Sequence, residues 1–146
     1  MKILYTTLLA AILLISFAGL VQAQEDPYAG SYSCSGQPQH GCGSGECSEI
    51  DIYPPYSITI TKAGDQYQVC PQFESGKAGV RGSNDCFTLS IVDGHGQWSG
   101  TSSTSDITFT GEATLDFNGN SFQAEETGQA SGLCSCALHL EAVCTK

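Results

Sequence analysis

Apolar and polar residues alternate one by one in run after run of this chain. Tyr56, Ile58 and Ile60 alternate with Ser57, Thr59 and Thr61. Phe87, Leu89 and Ile91 alternate with Thr88 and Ser90, and Ile107 and Phe109 with Thr108 and Thr110. Ala113, Leu115 and Phe117 alternate with Thr114 and Asp116, and Phe122 and Ala124 with Gln123 and Glu125. A strand sends successive side chains to opposite faces, so this period describes half-buried antiparallel strands. Turn residues stand between the runs: Ala63-Gly64-Asp65, Asp93-Gly94-His95-Gly96 and Asn118-Gly119-Asn120. Short links favour pairing between sequence neighbours. The expectation is an all-β fold, an antiparallel meander closing into a small disulfide-stapled β-barrel, with a β-sandwich as the alternative.

The disulfide expectation comes from eight cysteines and from the start of the chain. Lys2 precedes a mostly apolar run from Leu8 to Phe17, and Val21 and Ala23 stand three residues and one residue before a cleavage point at Gln24. This is the pattern of a secretory signal peptide over residues 1–23, and the run is short for a bilayer span of about 20 residues. The expected product is a single disulfide-rich β domain over residues 24–146, secreted or periplasmic, with no integral membrane segment once the signal is removed. Cys34, Cys42, Cys47, Cys70, Cys86, Cys134, Cys136 and Cys144 all lie in that part. An even count in an exported chain reads as a disulfide framework. Cys42-x4-Cys47 is the nearest approach to a zinc pair and has no second pair to complete it. No metal and no cofactor are expected.

Strand phase suggests which cysteines meet. Cys86 shares its phase with Thr88 and Ser90, and Cys70 is out of phase with Tyr67 and Val69. Both thiols should face outward and bridge to each other at the base of the loop between them, worth about 3 kcal/mol for a loop of roughly 15 residues. If residues 134–144 form a strand, Cys134, Cys136, Leu138, Leu140, Ala142 and Cys144 share one face. Residues two apart in a strand are about 6.6 Å apart, too far for a disulfide's Cβ spacing of about 3.8 Å. Each of Cys134, Cys136 and Cys144 then needs a partner elsewhere. Cys34, Cys42 and Cys47 are the candidates, across a seam between first and last strands, with the pairing left open. A local Cys42–Cys47 bridge and a short helix over residues 137–142 are the alternatives.

Charge and motifs narrow the function. The formal net charge is −10, which repels nucleic acid and anionic lipid. No nucleophile elbow, zinc-protease helix or phosphate loop occurs, and His40, His95 and His139 are scattered, so no catalytic residue is assigned and the chain is not read as an enzyme. Asp116-Phe117-Asn118-Gly119-Asn120 opens like a calcium loop, but Ser121 and Thr127 stand where Gly and Glu are needed, so a hairpin is expected. Glu125 and Glu126 should point to opposite faces. Trp98 should be core. Thr59-x-Thr61, Thr88-x-Ser90 and Thr108-x-Thr110 should line a hydroxyl-rich surface, and residues 101–105, TSSTS, should form a loop.

Asp26-Pro27-Tyr28-Ala29-Gly30-Ser31-Tyr32-Ser33-Cys34 resembles, over this one strand, the Gly-x-Trp/Tyr opening strand of calycin barrels such as lipocalins and avidins. The resemblance implies a barrel and assigns no functional residue. The functional expectation is an exported, non-catalytic binding module for an unknown ligand or protein partner: a small molecule, a glycan or a surface partner. The alternative is an inhibitor of trypsin-like proteases acting through Lys77 and Arg81, in the loop braced by Cys70 and Cys86. A structural envelope or matrix protein is the further alternative.

Overall fold

The computed structural model describes residues 25–42, 49–77, 79, 85–103, 107–132 and 135–146. The signal segment, its cleavage point at Ala23 and Gln24, Cys47, Arg81 and Cys134 lie outside the described residues, as does the side chain of Cys42. The strands are β1 (Gly30–Ser35), β2 (Gln39–Cys42), β3 (Glu49–Ile52), β4 (Ser57–Ala63), β5 (Gln66–Gln72), β6 (Phe87–Val92), β7 (His95–Ser103), β8 (Ile107–Asn118), β9 (Ser121–Gly132) and β10 (Cys136–Thr145). Eight of them close into an antiparallel barrel in the order β1-β10-β9-β8-β7-β6-β5-β4. From β4 to β10 each strand pairs with its sequence neighbour, and β1 fills the gap between β4 and β10. The sandwich alternative is therefore set aside: the sheet has no second layer because it closes on itself. Among the described residues, no helix is long and apolar enough to cross a membrane.

The two ends of the barrel differ. At one end, two-residue turns join β4 to β5, β6 to β7 and β8 to β9. Asp93 and Gly94 both take positive φ, 51° and 80°, the backbone of the tight hairpin turn that Asp-Gly favours. Asn118 pairs with Ser121, so Gly119-Asn120 is a hairpin turn rather than part of a calcium loop. The other end carries the long connections, including the β2–β3 hairpin inserted between β1 and β4 as a separate two-stranded sheet.

The alternating apolar residues fill the lumen. Tyr32, Ile58, Ile60, Tyr67, Val69, Phe87, Leu89, Leu115, Phe122 and Cys144 form one buried cluster. Ile52 of the hairpin packs with Ala130, Leu138 and Leu140 in a second cluster toward the loop end. Tyr32, Phe117 and Phe122 meet edge-on or tilted at centroid distances of 4.8–6.2 Å, the arrangement ring quadrupoles prefer. Residues 136–145 are a strand, not a helix, and Leu138, Leu140, Ala142 and Cys144 point inward.

Cys34 and Cys144 are directly opposed on β1 and β10 and are disulfide-bonded inside the barrel. Cys70 and Cys86 are bonded on the outside. Cys136 is also in a disulfide, and no cysteine among the described residues is free. These bonds mark a protein of an oxidising compartment.

Two local expectations are corrected. Tyr56 is 50% exposed instead of inward, because β4 begins only at Ser57, after Pro54-Pro55. Thr101–Ser103 are not loop but the end of β7, paired to Thr108–Thr110 on β8.

Candidate functional site

Several polar groups are fully engaged in holding the fold. Before β1, Asp26 accepts hydrogen bonds from the Tyr28 and Ala29 amides at 3.0 and 3.1 Å, from Lys62 at 2.9 Å and from the Tyr67 hydroxyl at 2.8 Å. Burial pushes its carboxyl up, but these donors prevail and lower it to about 2. Tyr32 donates to the Tyr28 carbonyl at 2.8 Å, and burial together with the Asp26 charge raises its hydroxyl to about 12. Lys146 donates to the Pro27 carbonyl at 3.1 Å. The segment ahead of β1 is thereby clasped over the turn end.

At the loop end, Lys77 is held by Glu74 and lies over the Tyr53 ring, 5.0 Å from its centroid. The Glu74 carboxylate raises the Lys77 ammonium above its ordinary value. A basic side chain bound by its own neighbours must leave both before it can enter a protease pocket. Arg81, its expected companion, lies outside the described residues.

The outer wall of β7, β8 and β9 carries a different feature. Gly100 is paired with Gly111, and Gly111 with Gly128, so three glycines stand in one row across three adjacent strands. By strand phase their missing side chains would face the lumen. Inside, the Trp98 ring covers the row: a Cβ on Gly100 would stand 2.2 Å from it. A Cβ on Gly111 would stand 2.9 Å from the Thr127 carbonyl, a close approach of β8 and β9. Glycine marks such approaches and bends in strands. Outside this row the surface holds an open groove of about 540 Å³.

Ser99, Thr101, Thr110, Glu112, Thr127 and Gln129 line that groove around the bare glycine backbone. The Thr101 and Thr110 hydroxyls are 3.4 Å apart, and those of Ser103 and Thr108 are 3.1 Å apart. The hydroxyl-rich surface expected from the sequence thus forms here, from β7, β8 and β9, with only the Thr108-x-Thr110 row of the three. No Lys or Arg occurs between Arg81 and Lys146, so the groove wall bears acidic and neutral groups only.

Each histidine faces a carboxylate across a strand pair. His40 meets Asp51 and His95 meets Asp116, both at 2.6 Å. His139 Nε2 lies 3.1 Å from Glu125 and 3.7 Å from Glu141. Among the described residues these are exposed histidine–carboxylate pairs on the outer surface. Glu126, as its phase requires, faces inward between Ala113 and Leu140, half-buried and engaged. Compared with protein-family models, with curated proteins and with solved structures, the chain matches none.

The groove escaped sequence reasoning because its glycines are distant in sequence and meet only through register. The one usable signal was local: Gly111 stands between the Ile107–Thr110 and Ala113–Phe117 runs, and glycine within a strand marks a bend or close approach.

Proposed function

We propose that this chain is an exported, non-catalytic binding module that takes a neutral, hydroxyl-rich ligand, a glycan, on the outer wall of β7, β8 and β9. The observation that carries the reading is the groove over the Gly100–Gly111–Gly128 row, with its hydroxyl, amide and carboxylate lining. Hydroxyl and amide side chains both donate and accept, and Glu112 can accept from two neighbouring hydroxyls. The absence of Lys and Arg there disfavours phosphates and other anions. The lumen is the less suited alternative, because aromatic rings and the β2–β3 hairpin pack it.

The test is amide chemical-shift mapping of the oxidised protein against a panel of neutral oligosaccharides. Saturable shifts confined to residues 99–101, 110–112 and 127–129 are expected, and Thr127→Arg, which fills the groove, should weaken binding at least tenfold. Shifts confined to the loop end around Lys77 would move the reading to that surface.

A further inference from the structure

Glu125 on β9 and Glu141 on β10 are direct cross-strand partners. Like charges placed opposite each other on one sheet face are destabilising, and the barrel is acidic overall, with a formal charge of −10. A cation between the two carboxylates removes that penalty. His139, two residues before Glu141 on the same face, brings Nε2 to 3.1 Å from Glu125 Oε1 and 3.7 Å from Glu141 Oε1. One imidazole nitrogen has one N–H and can donate to only one of them.

The His139–Glu125 contact is within hydrogen-bond range, and the same spacing also suits a shared ion. All three ligand atoms lie within 4.8 Å of one another. A tetrahedral zinc ion with bonds of about 2.0–2.1 Å holds its ligand atoms about 3.3–3.4 Å apart, between the two histidine–carboxylate distances. Antiparallel pairing over ten consecutive residue pairs holds the two strands in register, so the backbones carrying the three groups are fixed relative to one another. We propose that Glu125, His139 and Glu141 form a binding site for a divalent transition-metal ion of the zinc class, with water completing the coordination. An imidazole nitrogen selects this class over calcium and magnesium, which take oxygen ligands. The proposal stands apart from the groove reading: it uses other side chains and is read by another probe.

The experiment is a calorimetric titration of tag-free, oxidised protein with zinc chloride, and separately with calcium chloride. Saturable zinc binding at one equivalent with micromolar affinity is expected, with calcium at least a hundredfold weaker. His139→Ala and Glu141→Gln should each weaken zinc binding at least tenfold, and His95→Ala should leave it unchanged. In wild-type protein, the His139 ring resonances should shift on zinc addition while those of His40 and His95 stay in place, a readout that needs no variant. Absence of saturable zinc binding, an unchanged affinity in His139→Ala, or shifts confined to His40 or His95 would overturn the assignment.

Discussion

The same strands β7, β8 and β9 run through two differently filled halves of the barrel. Toward the turn end, they and their neighbours send Leu115, Phe117, Phe122, Tyr32 and Tyr67 inward. Toward the loop end the inward positions include Gly100, Gly111, Ala113, Gly128 and Ala130, with Phe109 and the hairpin's Ile52 packed there and Trp98, which belongs to the first cluster, reaching over Gly100. In the first half, large rings prop the wall from within. In the second, the row itself carries no side chains and the groove lies on its outer side.

Four perturbations break or sharpen this contrast. The largest effect should come from the turn half's covalent tie. Converting Cys34 and Cys144 together to Ala frees a link across 110 residues, against 16 for Cys70–Cys86. Chain entropy puts the two losses at about 4–5 and about 3 kcal/mol, so denaturant midpoints should fall further for the first pair. An equal or larger loss from Cys70 and Cys86 would show that loop length does not govern this barrel. Next, Phe122→Ala removes a fully buried ring that contacts Tyr32 and Phe117 and should cost about 3–5 kcal/mol.

Third come the glycines. Gly→Ala inside an ordinary strand gains roughly 0.5–1 kcal/mol. At Gly111, where the new Cβ meets a backbone carbonyl, it should instead cost about 1–3 kcal/mol. Gly100→Ala should move Trp98, the sole tryptophan, and shift its emission. A stabilised Gly111→Ala would mean that the row is not closely approached.

The smallest effect is acid sensitivity at the clasp. Asp26 is lowered from 3.8 to about 2 in the folded protein. A carboxylate shifted down contributes stability that is complete above the unfolded value and fades as pH falls from about 4 to about 2. The contribution should be about 1–2 kcal/mol, and Asp26→Asn should remove that part of the acid dependence. Parallel acid curves for wild type and variant would refute the role.

Much of the barrel was legible because its information is local. Alternation needs only neighbours, so the Phe87, Leu115 and Phe122 runs read directly as half-buried strands. Phase alone placed Cys70 and Cys86 on the outside, where they are bonded. The outer-wall sites were not legible, because register decides them. His139, Glu125 and Glu141 meet across two strands, and the glycine row across three. The β2–β3 hairpin was missed because Gln39–Cys42 has no apolar alternation to betray it.

The seam between β1 and β10 also constrains the chemistry of maturation. Cys34 is the first of the eight cysteines in sequence order and its partner, Cys144, is the last. Synthesised from the amino terminus, the chain exposes six other thiols before the native partner arrives. A Cys34 that oxidised with the earliest thiol to follow it would lock the ring open. From that state, native closure needs thiol–disulfide exchange, in which a thiolate attacks a wrongly formed bond and passes it on. Uncatalysed, such reshuffling takes minutes to hours. Any fraction that oxidises in that order should reach the closed barrel only at the pace of disulfide isomerisation.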